Sequence, residues 1–481
     1  MSLKAKAINS FNWTAFEMLF SQGAIFIVGV ILARILSPED FGVIGIITAF
    51  LAISNSIIEG GFTSALLRKI DSDDNDYNTV FFSNLIVGIL LYFLLLLFSE
   101  SIAEFFELSI LEVTLNYSGA VLIINAISMI QRTLLSKQLN FRFLAIISII
   151  ASFVSGLVAV LMAYNNYGIW SLVALLLLKP STQTLLLWSF TKWRPSINFS
   201  TRSFNELFNF GYKVLVAGLI NTIYKNIYYV LIGKLFSPAA LGYYTRAEQF
   251  QSPISGNISR AISKISFPIL STLQDDGPKL KLGFIKFLKF SFFLTCIIMS
   301  GIAAMAKPII LLLIGSKWST SIFYLQLMCI PGILYPLQIL HLNLLLIKGH
   351  SNLNLKLEII KKIILFPLVY FLALKSINAM LYGLILFSVI EYFINSFFTK
   401  RLINYPLKNQ LLDLLPFIFM SFIIFMAMYS ITFLSLDLIL MLVVQFIVGA
   451  FVFLVINEIL KLNEYIEIKV KAISIIKKFI S

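Results

Sequence analysis

One helix-length stretch, between about residues 240 and 268, holds the residues best suited to bind a charged ligand. Six of its residues recur at i, i+3, i+7, i+11, i+14 and i+18: Arg246, Gln249, Pro253, Asn257, Arg260 and Lys264. An α-helix turns once every 3.6 residues, so this spacing places all six on one side of the helix. The sequence therefore predicts a cationic stripe, which would attract an anionic ligand.

Further basic residues lie in neighbouring apolar stretches. Lys225 follows Asn221 by four residues, and Arg34 stands near the end of the first apolar stretch. A basic residue at the centre of a membrane helix costs about 2.5–3.5 kcal/mol on insertion scales, so it usually faces a cavity or a partner. Ion pairing within the protein, or snorkelling of Arg260 and Lys264 from a helix end, remains the alternative. The predicted substrate-binding residues are Arg34, Lys225, Arg246, Arg260 and Lys264.

Acidic residues in the apolar stretches are fewer than basic ones. Four are candidates for coupling transport to an ion: Glu17, Glu59, Glu248 and Glu391. A carboxylate removed from water binds a proton more readily, and a carboxylate can also hold Na⁺. Pairing with the basic residues is the competing interpretation.

Other residue patterns give no catalytic or metal site. The run at residues 71–76 contains two Asp-x-Asp spacings, but it lies in a short connection and is interpreted as a solvated turn. His341 and His350 have no Cys or carboxylate companion at ligand spacing. Cys296 and Cys329 lie in apolar stretches, and no phosphate-binding P-loop motif occurs. We predict no catalytic residue, no metal and no bound cofactor, with H⁺ or Na⁺ as the coupling ion.

The composition requires a membrane. The chain has 481 residues, of which 59% are hydrophobic and 12% charged, whereas soluble proteins have about 45–50% apolar and 25% charged residues. Apolar stretches of about 20 residues, long enough for a helix to cross about 30 Å of hydrocarbon, recur along the whole chain. We predict an all-α integral membrane protein with about fourteen spans: 11–36, 41–66, 79–99, 110–131, 143–163, 168–190, 209–235, 240–268, 284–306, 320–347, 357–375, 378–399, 412–434 and 436–458.

The basic residues that give the net charge of +14 are distributed as in a membrane protein, and they give no indication of binding to nucleic acid. If the N-terminus is cytoplasmic, most of the 37 Lys and Arg residues fall in cytoplasmic segments. Only Lys234, Lys307, Lys317 and Lys375 fall on the opposite face. This positive-inside asymmetry predicts an even number of crossings with both termini in the cytoplasm. The basic tail after residue 458 is expected to lie on anionic lipids.

Two similar phrases 200 residues apart show an internal duplication. They read ARILSPEDFG at residues 33–42 and GKLFSPAALG at residues 233–242. Six predicted spans separate them, so the repeats enter the membrane in the same direction. We predict a six-helix lobe at 1–200, a second at 201–400, and two added helices with a basic cytoplasmic tail at 401–481.

The repeated phrase itself predicts a helix hairpin. Ser37 and Pro38 would cap the following helix, and Gly42 would allow a close backbone approach. The repeats differ in charge, because Ile25 and Ile46 occupy the positions that correspond to Lys225 and Arg246. Most of the basic residues within the predicted spans therefore belong to the second repeat.

Four motifs resemble those of Wzx-type polysaccharide exporters in the multidrug/oligosaccharidyl-lipid/polysaccharide (MOP) superfamily. The first repeat carries ARILSPEDFG (33–42) and EGGFTSAL (59–66), and the second carries LGYYTRA (241–247) and FPILSTLQDD (267–276). The likeness extends over roughly residues 5–400, and the last eighty residues fit by hydropathy alone.

That resemblance implies a flippase of the bacterial inner membrane. It would move a polyprenyl-diphosphate-linked oligosaccharide to the outer leaflet by alternating access, for lipopolysaccharide, capsule or exopolysaccharide synthesis. The five predicted basic residues would then bind the diphosphate or an acidic sugar. Expected partners are the lipid-linked oligosaccharide, membrane lipids, and polysaccharide polymerases and glycosyltransferases, with no nucleic acid.

Three other interpretations compete with this one. A cation or drug antiporter of the same superfamily should have a mainly acidic interior, which is not the pattern here. A lipid II flippase would share the cationic interior. A membrane oligosaccharide polymerase or ligase, which would be an enzyme, typically has a large outer loop, whereas every predicted outer loop is short. The sequence therefore favours a transporter over an enzyme.

Overall fold

The computed structural model describes residues 20–480, without the side chains of 471–473 and 475–480. Over these residues the chain is helical, and no strand occurs in them. Short 3₁₀ turns occupy Ser316–Trp318 and Ile431–Phe433. The α-helices are α1 (Phe20–Ile35), α2 (Pro38–Glu59), α3 (Phe62–Arg68), α4 (Asp74–Phe106), α5 (Ser109–Gly119), α6 (Val121–Lys137), α7 (Phe141–Tyr164), α8 (Trp170–Phe190), α9 (Thr201–Leu235), α10 (Pro238–Thr272), α11 (Gly277–Ala304), α12 (Ala306–Leu313), α13 (Thr320–Ile347), α14 (Ser351–Ala373), α15 (Ile377–Ile403), α16 (Leu407–Ser430), α17 (Leu438–Leu460) and α18 (Asn463–Ile480).

Most of the predicted spans coincide with helices suited to a bilayer. Within the described residues, 11 helical stretches are long and apolar enough to cross a membrane. The remaining predicted spans correspond to α1, α10 and α14. The helix α1 is apolar but belongs to the shorter helices of 10–17 residues, α10 is unusually polar, and α14 carries four charged residues. Helices therefore occupy three predicted spans that composition alone would not assign to a membrane.

Packing divides the chain into two compact units, Met1–Gly242 and Tyr243–Ser481, and the division falls within α10. In the first unit, α2 packs against α9, and α7 against α8. In the second, α11 and α15 pack against α13, and α16 packs against α11. The predicted boundaries at residues 200 and 400 come from the sequence repeat and stay a prediction.

Alternating spans place the connections at two ends of each unit. Segments 69–73, 138–140 and 191–200 lie at one end of the first unit, because consecutive spans run in opposite directions. By the same argument, segments 273–276, 348–350 and 404–406 lie at one end of the second unit. The charge distribution predicts that these ends are cytoplasmic.

The segment 191–200, which joins the repeats, is not helical and is fixed to the start of α4. The side chain of Asn78 accepts from the Ser196 amide at 2.9 Å and donates to the Ser196 hydroxyl at 2.7 Å. The Ser200 amide donates to the Thr79 hydroxyl at 2.9 Å. Side-chain groups of α4 thus satisfy backbone groups that a helix would have paired internally.

Both repeated phrases form the predicted helix caps. The Ser37 hydroxyl accepts from the Asp40 amide at 3.2 Å, and the Asp40 carboxylate accepts from the Ser37 amide at 3.0 Å. This reciprocal arrangement is a capping box, with Pro38 in the first turn of α2. In the second phrase the Ser237 hydroxyl accepts from the Ala240 amide at 3.2 Å.

The glycines of the two phrases allow the phrases to contact each other. A Cβ atom at Gly42 would lie 1.8 Å from the Pro238 carbonyl oxygen, and one at Gly242 would lie 2.0 Å from the Pro38 carbonyl oxygen. Both approaches are far below van der Waals contact. The first turns of α2 and α10 therefore meet in a reciprocal backbone contact, which requires glycine on both sides.

Replacing either glycine should destabilise this contact. We expect Gly42→Ala and Gly242→Ala each to lower stability by about 1–3 kcal/mol, because backbone atoms must move to admit the methyl group. Thermal unfolding of the detergent-purified protein measures the effect. Gly23→Ala is the matched control, since no atom lies within 4 Å of a Cβ built there. Equal unfolding temperatures for Gly42→Ala and Gly23→Ala would contradict this account of the contact.

Candidate functional site

The helix α10 has one face that is buried in the second unit. Gln251, Ser255, Ser259 and Ser266 are buried on it. Gln251 donates to the Ser255 hydroxyl at 3.0 Å, and the Ser259 hydroxyl donates to the Ser255 carbonyl at 2.7 Å. Gln251, Ser255 and Ser259 are thus hydrogen-bonded within the helix, so this part of the polar face can pack against protein without a charged partner.

The other face of α10 carries the predicted stripe. Pro253, Arg260 and Lys264 are exposed, and Arg246 and Asn257 are half-buried. Arg260 also donates a hydrogen bond to the Asn257 side-chain oxygen. Because hydrocarbon cannot solvate such groups, this face requires water or a polar ligand at membrane depth.

The structure distributes the five predicted substrate-binding residues between the two units. Arg246, Arg260 and Lys264 share α10 in the second unit. Arg34, at the end of α1, and Lys225, on α9, belong to the first unit, and both are exposed. The role of these five residues as ligand contacts stays a prediction.

The acidic candidates have different surroundings. Glu17 lies outside the described residues. Glu59 is the last residue of α2 and interacts electrostatically with Arg132. Glu248 is half-buried on α10. Glu391, on α15, forms an ion pair of 2.8 Å with Lys361 of α14. The roles of these residues in ion coupling also stay predictions.

Sequence reasoning missed two basic residues that the structure places inside the protein. Lys361 is only 2% exposed and also pairs with Glu358. Arg132, which follows the predicted span 110–131, is half-buried on α6, and it donates to the Gln183 side chain at 2.7 Å. The signal for Lys361 was present, because Glu358 and Lys361 stand three residues apart in a predicted span.

The acidic run at residues 71–76 is more than a solvated turn. Asp73 caps α4, and the amide hydrogen of Asp76 lowers the pKa of the Asp73 carboxyl by donating to it. Asp76 is 1% exposed and pairs with Lys69 at 2.9 Å. Lys69 also pairs with Glu206 of α9 at 3.1 Å. The run thus helps to connect α3, α4 and α9 at one end of the first unit.

The described residues contain no group of three or more His, Cys, Asp or Glu residues that could hold a metal ion. His341 is buried between the rings of Phe284 and Tyr392, at centroid distances of 5.3 and 5.5 Å. Its Nδ1 atom lies 2.6 Å from the Thr399 hydroxyl. Cys296 and Cys329 are buried free thiols.

An all-helical bundle with polar, cationic helix surface at membrane depth is typical of an integral membrane transporter. Residues 31–323 match the family described as Polysaccharide biosynthesis protein. This match covers more than half of the chain, and the chain belongs to that family.

Relatives from several bacteria support this assignment. A membrane protein of the cps region of Klebsiella pneumoniae is 25% identical over 88% of this chain and 87% of its own length. The succinoglycan biosynthesis transport protein ExoT of Rhizobium meliloti is 26% identical over 70% of this chain and 68% of its own length. The lipopolysaccharide biosynthesis protein WzxC of Escherichia coli is 22% identical over 76% of this chain and 75% of its own length.

Solved structures share the fold. The lipid II flippase MurJ, in an inward closed conformation, has a TM-score of 0.75 at 16% identity and covers 94% of this chain and 98% of its own. An inward-facing multidrug resistance MATE transporter of the MOP superfamily has a TM-score of 0.60 at 13% identity, covering 82% and 98%. The family match and the relatives confirm the predicted resemblance to Wzx-type polysaccharide exporters, and the solved structures confirm the predicted all-α membrane fold.

Cysteine labelling can test whether the stripe contacts water. We expect Arg260→Cys and Lys264→Cys to react with a charged, membrane-impermeant thiol reagent in inside-out vesicles, because both positions are exposed. Ser259→Cys is the control, since Ser259 is 1% exposed and precedes Arg260. The buried native cysteines should give a low background. Equally weak labelling at positions 259 and 260 would show that lipid or protein covers the stripe.

Proposed function

We propose that the protein is a flippase for a polyprenyl-diphosphate-linked oligosaccharide in the bacterial inner membrane. It moves the lipid-linked sugar from the cytoplasmic to the outer leaflet by alternating access, and the product serves synthesis of a surface polysaccharide. The family assignment supports the polysaccharide pathway. The similarity to ExoT, whose name describes a transport protein, supports movement across the membrane.

The observation that carries the proposal is the cationic face of α10. A diphosphate brings negative charge and several acceptor oxygens into the membrane, where few groups can stabilise it. Arg246 and Arg260 can each offer the planar fork of donors that matches phosphate oxygens, and Lys264 adds a further positive charge. The sugar itself needs a polar surface, which Gln249 and Asn257 provide on the same face.

The competing functions fit the residues less well. A carrier of organic cations requires acidic groups where α10 presents basic ones. A lipid II flippase would also bind a diphosphate, but the MurJ likeness shows the fold alone, whereas the family match concerns polysaccharide biosynthesis. Both alternatives can be separated from the proposal by comparing the binding of fluorescent organic cations, lipid II and lipid-linked glycans to the purified protein.

The proposal includes an energy source and partners. Transport is coupled to an ion gradient of H⁺ or Na⁺ through one of the intramembrane carboxylates, and no chemical step on the glycan is required of this chain. Glycosyltransferases on the cytoplasmic side supply the substrate, and a polymerase consumes the product. Both termini are cytoplasmic, as the positive-inside asymmetry indicates.

Deletion of the gene should abolish one surface polysaccharide and cause its lipid-linked precursor to accumulate inside the cell. Analysis of the surface glycan and of extracted lipid-linked sugars checks both results together. Loss of the glycan without accumulation of a lipid-linked precursor would contradict flipping. Formation of glycosidic bonds by the purified chain would instead establish an enzyme.

Charge reversal on α10 tests the binding face. We expect Arg246→Glu and Arg260→Glu each to reduce export about tenfold or more, since a charged hydrogen bond contributes about 1.5–3 kcal/mol. The surface glycan, measured at matched protein levels, gives the readout. Lys408→Glu is the control, because it makes the same charge change at an exposed residue at the start of α16. Normal export by Arg246→Glu would remove Arg246 from the site.

A further inference from the structure

We propose that the seam between α14 and α15 is a hydrated proton path, which leads from the predicted cytoplasmic end to the Lys361–Glu391 ion pair. H⁺, and not Na⁺, is then the ion coupled to transport. This inference rests on the proposed function, because it names the ion and the residues that couple it to flipping.

The path ends at three charged side chains deep in the second unit. The Lys361 Nζ atom lies 2.8 Å from a Glu391 carboxylate oxygen, and Lys361 also pairs with Glu358 one turn away on α14. The Lys361 side chain is 2% exposed, and that of Glu391 is 17% exposed. One cation thus faces two carboxylates, which gives the cluster a net charge of about −1 when all three are ionised.

A single proton would make the cluster electrically neutral. The proton binds a carboxylate oxygen of Glu391, and Glu358 keeps its ion pair with the Lys361 ammonium. No bond between heavy atoms changes in this step. In a medium of low polarity, a neutral cluster has a lower free energy than a charged one. The polarity around the cluster therefore affects whether it binds or releases a proton.

Lys361 also disfavours a metal ion at this place. A bound Na⁺ would have to share the carboxylate oxygens that the ammonium already contacts. The two cations would then lie close together in a site with little water, where repulsion between like charges is strong. A proton adds no separate cation, so the cluster suits H⁺ better than Na⁺.

Polar side chains follow one face of each helix between the cluster and the helix ends, and the α15 row also faces α13, because the Thr399 hydroxyl lies 2.6 Å from the His341 Nδ1 atom. On α14, Asn354, Glu358 and Lys361 follow at i, i+4 and i+7, and on α15 Glu391, Asn395 and Thr399 follow at i, i+4 and i+8. These spacings keep each row on one face of its helix. The helices α14 and α15 pack against each other, and Lys361 and Glu391 join the two rows.

The rows lead to one end of the unit. Lys361 is ten residues from the start of α14 at Ser351, and Glu391 is twelve residues from the end of α15 at Ile403. At 1.5 Å per residue these separations are about 15 and 18 Å, roughly half of the hydrocarbon thickness. The polar rows therefore cover the distance from the membrane centre to the predicted cytoplasmic end.

Buried polar atoms without protein partners indicate that water belongs in the seam. Asn395 is 1% exposed, yet neither atom of its side-chain amide has a hydrogen-bond partner in the described residues. The Asn354 side-chain oxygen, in the α14 row, is also buried without a hydrogen-bond partner in these residues. Such groups are normally satisfied, and small polar cavities satisfy them with water. A file of waters along these groups would conduct protons.

Charged and titratable groups from the neighbouring helices also act on the cluster. Lys362 of α14 acts on Glu391, and Lys361 acts on His341 of α13, whose Nε2 atom has no hydrogen-bond partner in the described residues. On α13, Tyr335 is under the influence of Glu391, Glu358 and also Arg260 of α10. Tyr335 is therefore influenced both by Arg260 and by the carboxylates, whereas Arg260 is not among the charges that act directly on Glu391.

This shared influence on Tyr335 links the ion to the substrate. An anion bound at Arg260 adds negative charge on the Tyr335 side of the cluster, and so it favours binding of a proton. Linkage requires the reverse effect to be equal, so a bound proton strengthens binding of the anion. The substrate stripe and the proton site are thereby coupled within the second unit.

Proton flux in vesicles tests the proposal. The full chain is reconstituted into phosphatidylethanolamine–phosphatidylglycerol vesicles that contain a pH-sensitive dye, and a polyprenyl diphosphate is added as the probe. We expect the probe to increase proton flux, with no change when K⁺ is replaced by Na⁺. Flux that requires Na⁺, or a wild-type protein that binds the probe without proton flux, would overturn the assignment of H⁺.

The double variant Lys361→Met/Glu391→Gln separates coupling from stability. Lys361→Met alone leaves two carboxylates without their cation and threatens folding, whereas the double change removes the Lys361–Glu391 pair, keeps the net charge of the cluster, and leaves only Glu358, which is 29% exposed, without its cation. We expect the double variant to unfold near the wild-type temperature and to bind the probe, but to lose probe-dependent proton flux. Wild-type flux in the folded double variant would show that the pair is only structural.

Asn395→Leu tests the path itself. Its amide has no protein partner, so the change should preserve stability and slow proton flux about tenfold by excluding water. Asn457→Leu, at a fully buried asparagine of α17, is the matched control and should leave the flux unchanged. Equal flux in Asn395→Leu and wild type would remove the seam as the path.

An infrared measurement keeps this inference separate from the proposed function. A pH jump on the purified protein without any probe should give a carboxyl protonation signal that the double variant lacks. If the signal is present but no lipid-linked glycan is flipped, the proton site stands and the proposed substrate is wrong. If flipping occurs without the signal, the proton site is wrong and the flippase stands.

Discussion

Hydrocarbon offers no hydrogen bonds, and this constraint accounts for most of the features of the chain. Backbone groups are satisfied within helices, so the described residues form no strand. Serine and threonine hydroxyls inside the spans donate back to their own helices, as Ser83 does to the Thr79 carbonyl at 2.7 Å. The groups that cannot be satisfied in this way, namely the charges, are confined to a few places. Those places are where function must be sought.

The duplicated sequence builds a large helical bundle in which only a few positions require a particular residue type. Each repeat uses a serine cap, a proline in the first turn and a glycine four residues later. Gly42 contacts Pro238, and Gly242 contacts Pro38. Each copy of the phrase therefore packs against the other copy as well as capping its own helix. A contact made of backbone atoms can be kept while the side chains around it change, so the scaffold leaves the remaining positions free to acquire charge.

The sequence predicted the features that depend on local pattern, and it missed those that depend on packing between helices. Span positions, the caps at Ser37 and Ser237, and the polar face of α10 all follow from periodicity and residue type. The hydrogen bond of Arg132 to Gln183 was not predicted, because α6 continues beyond the apolar run that defined the end of the predicted span. Glu358 was a visible partner for Lys361, but the sequence could not reveal the pairing of Lys361 with Glu391, which lies thirty residues away on another helix. Pairing of that kind is a tertiary property.

The two repeats differ in the number of charged residues within their helices, and most of these residues belong to the second unit. The helix α7 occupies the place in the first repeat that α14 occupies in the second, and its only charged residue is Arg142, near its first turn. In contrast, α14 contains Glu358, Lys361 and Lys362, and α10 contains the stripe. Charges in a membrane are retained only where they act or are paired. In this duplicated scaffold, the second unit contains both the cationic face and the buried ion pair. This favours a division of roles between the repeats, in which ligand binding and ion coupling lie in the second unit, close enough to influence each other.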